Sequence, residues 1–160
     1  MAQIDLKNAT IKFKDLNGVN TLEVKIGEGN LSFTEKVNRI YTKDRGLLND
    51  VRDGDEEPLE VSMDFIWEFL KSDTGNPPSP YDVLKNEGEA SSWVSVDVDA
   101  CRPFAIDIVI LYEPPCGGEK DEKIVLEDFR YEQLQFDLRN ASVAMTGKCN
   151  VTRPTITREA

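Results

Sequence analysis

Six carboxylate side chains lie from Asp44 to Glu57, and the segment "VRDGDEEP" carries four of them: Asp53, Asp55, Glu56 and Glu57. Clustered acids of this kind serve either a hard cation or general acid–base chemistry. A calcium loop of the EF-hand type needs Gly at its sixth position and a closing Glu at its twelfth. Counted from Asp53, the sixth position is Pro58 and the twelfth is Asp64, so the frame fails. "DGDEEP" reads instead as a turn, bent at Asp53-Gly54 and stopped by Pro58 ahead of a strand. The pair Glu56/Glu57 has the residue types for glycoside hydrolysis, but nothing in the sequence sets their pKa values apart or implies a pocket. No G-x-S-x-G nucleophile motif occurs. The chain has no histidine, which removes imidazole as base, shuttle or metal ligand. Its three cysteines, Cys101, Cys116 and Cys149, form no CxxC pair and read as free thiols without metal. No catalytic residue, metal site or cofactor is expected, and the chain does not read as an enzyme.

The elements that position these residues are mostly strands. In "TLEVKI", Leu22, Val24 and Ile26 share one face. "NLSFTEKVNRIY" places Leu31, Phe33, Val37 and Tyr41 together, after a short hairpin turn at Gly27–Gly29. "LEVSMDFIW" alternates Leu59, Val61, Met63, Phe65 and Trp67 against Glu60, Ser62 and Asp64. "PFAIDIVILY" is apolar on both faces and predicts a central strand covered on both sides. "KIVLEDFRYEQLQFDL" exceeds usual strand length, and its apolar phase shifts between Leu126 and Phe129, which predicts a bulge near Glu127 and Asp128. "ASVAMTGKCNVT" alternates again. One helix is signalled in "SPYDVLKNEGE", with Ser79 as N-cap, Pro80 at the first helical position and Gly88 as the left-handed stop. Val83 and Leu84 pack this helix on a sheet. The fold class is mainly β: a β-sandwich or partly closed antiparallel barrel with one flanking α-helix, in a single domain over residues 1–160.

Between Tyr41 and Leu59 lies "TKDRGLLNDVRDGDEEP", read as a long inter-strand loop. Connections of this length in compact domains are usually functional or disordered. This one holds an apolar patch, Leu47, Leu48 and Val51, among Lys43, Asp44, Arg45, Asp50, Arg52 and Asp53. Mixed charge around an apolar centre suits an interface that sets register. The alternative is that the patch folds back on its own domain.

The net charge of −11 argues against a protein that grips nucleic acid, which needs clustered Lys and Arg. It fits a protein that stays soluble, or one that stands beside a polyanion without sticking to it. The polar start "MAQIDLKNAT" does not read as a signal peptide, and no apolar run approaches membrane length. The N-x-[ST] matches at Asn8, Asn30, Asn140 and Asn150 are then turn and strand-face composition.

The order "KIGEGNLSFTEK", "DRGLLNDVRDGDEEPLEVSMDF", a short helix and "FRYEQLQFDL" resembles the major tail tube proteins of tailed bacteriophages over nearly the whole chain. The resemblance implies a structural virion protein, assembled in the host bacterial cytoplasm, whose hexameric rings stack into a hollow tail tube for genome ejection. It implies partners: further copies of itself, a tail terminator, baseplate or tail-tip and tape-measure proteins, and a sheath if the tail contracts. DNA would pass through the lumen without specific binding, and no membrane is involved. A long loop between two early strands would reach the next ring. Here that ring-stacking segment carries Lys43, Asp44, Arg45, Leu47, Leu48, Val51, Arg52, Asp53, Asp55 and Glu56. Glu60 and Asp64 point away from the core side of their strand and are expected to face the lumen. The inner tube of a contractile secretion machine shares this fold and is one alternative. The other is a monomeric β-sandwich ligand-binding module that uses Trp67 or Trp93 as a stacking platform.

Overall fold

A computed structural model describes residues 9–16, 18, 20–24, 26, 30–66, 80–113 and 121–159. Ten strands and one α-helix appear among them. In chain order they are β1 (Ala9–Lys14), β2 (Thr21–Val24), β3 (Leu31–Thr34), β4 (Arg39–Asp44), β5 (Leu47–Asp53), β6 (Leu59–Ile66), α1 (Pro80–Lys85), β7 (Ile106–Tyr112), β8 (Asp121–Asp137), β9 (Ser142–Cys149) and β10 (Thr155–Glu159). Eight strands form one antiparallel sheet in the order β2-β1-β7-β8-β9-β6-β3, with β10 also on β8.

This sheet folds over itself through β8, which is 17 residues long. Its first half pairs with β7 and β10, and its second half with β9. One layer is therefore β2-β1-β7 with the start of β8, and the other is β3-β6-β9 with its end. Ile11, Phe13, Ile106, Ile108 and Leu126 meet Leu59, Val61, Met63, Phe65, Val143 and Met145 in a single core. The arrangement is a sandwich, and it does not close into a barrel.

Two bulges let β8 turn the corner. Ile106 faces Phe129 while Ile108 faces Leu126, so Glu127 and Asp128 stand against Asp107 alone. Asp128 takes a left-handed φ of 57°, and its N–H donates to Asp107 Oδ1 at 3.1 Å. The phase shift expected near Glu127 and Asp128 is this bulge. Burial raises the pKa of Asp107, opposed by the hydrogen bond from Asp128. The second bulge lies where Tyr131 faces Gly147 and Gln133 faces Thr146. A Cβ built on Gly147 would stand 2.3 Å from the carbonyl oxygen of Arg130 and 2.7 Å from the Phe129 ring.

Polar ties hold the remaining segments to the layers. Asp15 is fully buried. Its carboxylate accepts from Asn20 Nδ2 at 2.8 Å and from the N–H of Val94 at 3.4 Å, which fastens the β1–β2 turn to the chain entering β7. Asp97 accepts from Arg130 Nη2 at 2.8 Å and Arg102 Nη1 at 3.2 Å. The N–H of Asp99 first, and then these two guanidinium groups, hold its pKa below the usual carboxylate range.

Several expectations change. The run 31–41 is not one strand: residues 35–38 belong to no strand, and Val37 is exposed instead of sharing a face with Leu31 and Phe33. β7 is central as expected, but only Ile106, Ile108, Ile110 and Tyr112 are buried, and its other face is half-covered. The left-handed residue that ends α1 is Asn86 (φ 55°); Gly88, also left-handed, opens a 3-10 turn through Ala90. Val83 and Leu84 are buried as predicted, while Ser79, the hairpin turn at Gly27–Gly29 and Trp67 lie outside the described residues. No described helix is long and apolar enough to cross a membrane.

Gly147→Ala should destabilise the fold by about 1–3 kcal/mol, because the second bulge has no room for a methyl group. Chemical denaturation would show a lower midpoint at unchanged slope; an unchanged midpoint would mean that the two halves of the sheet do not depend on this close approach.

Candidate functional site

Most of the segment Thr42–Pro58 is not a loop. Residues 42–53 belong to a β-hairpin, β4 with β5, which forms its own two-stranded sheet apart from the sandwich, and residues 54–58 connect it to β6. Asp44 faces Leu47, and the two residues between them, Arg45 (φ 53°) and Gly46 (φ 82°), both take positive φ. That is the backbone of a type I′ turn, whose twist matches the strands it joins. The usual sequence mark of this turn is Asn-Gly or Asp-Gly, and Arg-Gly is a fainter signal. Lys43 and Asp44 end β4, Leu47, Leu48, Val51, Arg52 and Asp53 lie on β5, and Asp55 and Glu56 lie on the segment returning to β6.

Every residue of both strands is exposed. Leu47 and Leu48 are 74% and 73% exposed, so the patch does not fold back on its own domain. Nor is it a single patch. Opposed residues share a face, and the pairs Arg39/Asp53, Tyr41/Val51 and Lys43/Leu48 define one side. A bulge at Asn49 keeps Leu48 in phase with Val51. Leu47 falls on the opposite side, with Ile40. The hairpin thus shows one apolar cluster, Tyr41–Leu48–Val51, and on its other side two separate apolar residues, Ile40 near the base and Leu47 at the tip. Tyr41 and Ile40 were missed in the sequence, because alternation alone assigned Tyr41 to the strand of Leu31.

At the base, the N–H of Gly54 donates to the carbonyl of Asn38 at 2.7 Å, and Arg39 lies 3.7 Å from Asp53. Six pairs at ~3.3 Å per residue carry the tip roughly 20 Å from this base. A two-stranded hairpin alone in water is marginal at best, since neither face is covered.

Glu60 and Asp64 lie, as read from the alternation, on the face of β6 turned away from the core. In register with them on β9 are Lys148 and Ala144. Glu60 accepts a hydrogen bond from Lys36 Nζ at 3.0 Å. Around it the face is largely neutral and polar, with Ser32, Thr34, Ser62 and Thr146. Glu56 and Glu57 line an open cleft with Pro58, Asn150, Val151 and Thr152, with no partnered base or nucleophile beside them. No group of three or more His, Cys, Asp or Glu side chains among the described residues is placed to hold a metal ion. Trp93 is buried and offers no stacking platform. Cys101 is exposed, Cys149 is buried, and Cys116 lies outside the described residues.

Comparison of the sequence with protein-family models and with curated proteins finds no match. Solved structures do match in fold. A chain from the cryo-EM structure of an extracellular contractile injection system, "PVC sheath/tube terminator in extended state", superposes with a TM-score of 0.56 at 12% identity, over 98% of each chain. A chain from the PVC sheath-tube complex in its extended state gives 0.52 at 12% identity, over 98% of this chain and 92% of that one. The chain shares the fold of these components of contractile injection systems.

Burial pushes the Cys149 thiol up to about 12, so its thiolate is scarce at neutral pH. In a Cys116→Ser background, a thiol reagent should label one equivalent, Cys101, in the native protein and two after denaturation. Two fast equivalents in the native state would contradict the burial of Cys149.

Proposed function

We propose that this chain is a structural subunit of a phage tail tube, which assembles through its exposed hairpin into rings that stack around a channel for DNA. The observation that carries the reading is the hairpin itself: a protruding two-stranded sheet with five exposed apolar side chains, Ile40, Tyr41, Leu47, Leu48 and Val51. Such an element is stabilised by what it docks against. Burying a Leu side chain fully contributes about 1.5–3 kcal/mol, so five apolar residues against neighbours offset a substantial ordering cost. The fold shared with chains of a tube-bearing injection system supports the same assignment, as does the sequence resemblance to tail tube proteins.

The rings would be hexameric, and the stack would meet terminator, baseplate or tail-tip and tape-measure proteins, with a sheath where the tail contracts. Among the described residues β2 and β3 end the sheet, and neighbouring sheets would join through these edges around a ring. The polar face of β6 would line the channel, with Glu60 and Asp64 contributing negative charge. At physiological salt the field of such a wall extends only about 8 Å, so it acts on DNA at close range. A second reading, the inner tube of a contractile secretion machine, is favoured by the same fold comparison and differs in what passes through the channel.

Purified protein at high concentration should show rings or tubes by negative-stain microscopy; a monomer at all concentrations would end this reading. Leu47→Asp with Leu48→Asp should leave a folded monomer that builds no tubes, because both side chains are exposed in the single chain. Unfolding of that variant would mean that the leucines serve the subunit and not its assembly. Glu60→Lys with Asp64→Lys should leave tubes intact but block DNA passage in assembled phage. Genome delivery at the normal rate would remove these residues from the channel wall.

A further inference from the structure

The hairpin and the rest of the chain differ in charge. Residues 39–53 hold four cations against three acids, in a chain of net charge −11. Arg39 is held by Asp53, but Lys43, Arg45 and Arg52 make no ion pair among the described residues. Lys43 and Arg45 lie at the turn, flanked by Leu47 and Leu48. Asp44 lies between these two cations, so the tip carries a net charge of +1 beside two exposed leucines, on a strongly acidic protein.

A complementary surface exists at the other end of the hairpin. Two clefts, of about 510 and 580 Å³, share Val151 and Thr152 as a common wall. The first is lined by Glu56 and Glu57, the second by Glu35 and Glu127. Arg153 is the single cation among the lining residues. Glu127 accepts a hydrogen bond from Thr155, whereas Glu35, Glu56 and Glu57 have no cationic partner among the described residues. Pro58, Val151 and Pro154 give this groove apolar ground between the acids.

We propose that this acidic groove is the acceptor for the hairpin tip of a second copy of the chain, with Lys43 and Arg45 seated against Glu56 and Glu57. This deepens the tube-subunit reading and rests on it. The groove lies beside the base of the hairpin, and the tip lies roughly 20 Å from that base, so a chain's own tip does not reach its own groove. Donor and acceptor are different surfaces of one molecule, so the contact is heterologous. Each copy gives one tip and receives one, and repetition closes a ring or extends a stack. Chains of net charge −11 repel one another, and a basic tip seated against acids offsets part of that repulsion.

The test is a charge swap on the full chain, read by sedimentation and microscopy near physiological salt, with circular dichroism to confirm folding. Lys43→Glu/Arg45→Glu, or Glu56→Lys/Glu57→Lys, should each raise the concentration at which assembly begins by about tenfold or more. The quadruple variant should recover assembly, because tip and groove again carry opposite charge. So should a 1:1 mixture of the two double variants, in which each tip matches the groove of the other partner. If Glu56→Lys/Glu57→Lys misfolds, Glu56→Gln/Glu57→Gln replaces it, with a smaller rise expected and a loss of the salt dependence of assembly. Wild-type assembly by the groove variants, or no recovery in the swap and the mixture, would overturn the groove while leaving the tube subunit intact. Wild-type protein that never assembles would instead overturn the tube reading, and this contact with it.

Discussion

The described fold depends on one strand that serves both layers. β8 lies against β7 and β10 with its first half and β9 with its second, and its direction changes at Glu127–Asp128 and again beside Gly147. Without those bulges a continuous 17-residue strand would hold all its partners in one extended sheet, with one face of Ile, Leu, Phe and Met side chains left in water. The bend brings the two apolar faces together. The left-handed Asp128, the Asp107 carboxylate that accepts from its N–H, and the absent side chain at Gly147 are the local means by which the chain makes the turn.

The hairpin obeys different rules. Its strands share no core with the sandwich, and its alternation places apolar side chains on both faces without covering either. In the single chain it is held by ladder hydrogen bonds, a favourable turn at Arg45-Gly46 and the closure between Asn38 and Gly54. Selection for a stable monomer does not explain Leu47 and Leu48 in such a place. The proposed assembly, in which this surface is covered, would explain them.

Much of the sandwich was legible in the sequence. Alternation in β6 named its buried residues Leu59, Val61, Met63 and Phe65, since a period of two with one face in the core permits only one register. The slip in apolar phase after Leu126 located the bulge. The hairpin was less legible for a physical reason: a strand exposed on both faces has no inside, so its pattern carries no period against which to read it. "TKDRGLLNDVRD" therefore looked like a loop, and Leu47 and Leu48 looked like one patch, although as neighbours on a strand they face opposite sides. Glu56 and Glu57 drew attention as a pair, but their neighbours Val151 and Thr152 are almost a hundred positions away, and no local pattern joins them. Asp15 was also unreadable: its burial follows from Asn20 and Val94 enclosing it.

The uncovered hairpin also bears on kinetics. A two-stranded element without a core opens and closes with little free-energy difference, so in the proposed assembly a lone subunit would present its docking surface only part of the time. The first subunits to meet must each order this element while few contacts reward them. A subunit arriving at an existing end finds its partner surface already ordered. In that assembly, growth from a preformed end would be faster than the birth of a new one, and a pool of subunits would stay dispersed until a template is present. A marginal strand pair in the free chain would thus work as a delay, keeping polymerisation where a starting surface exists.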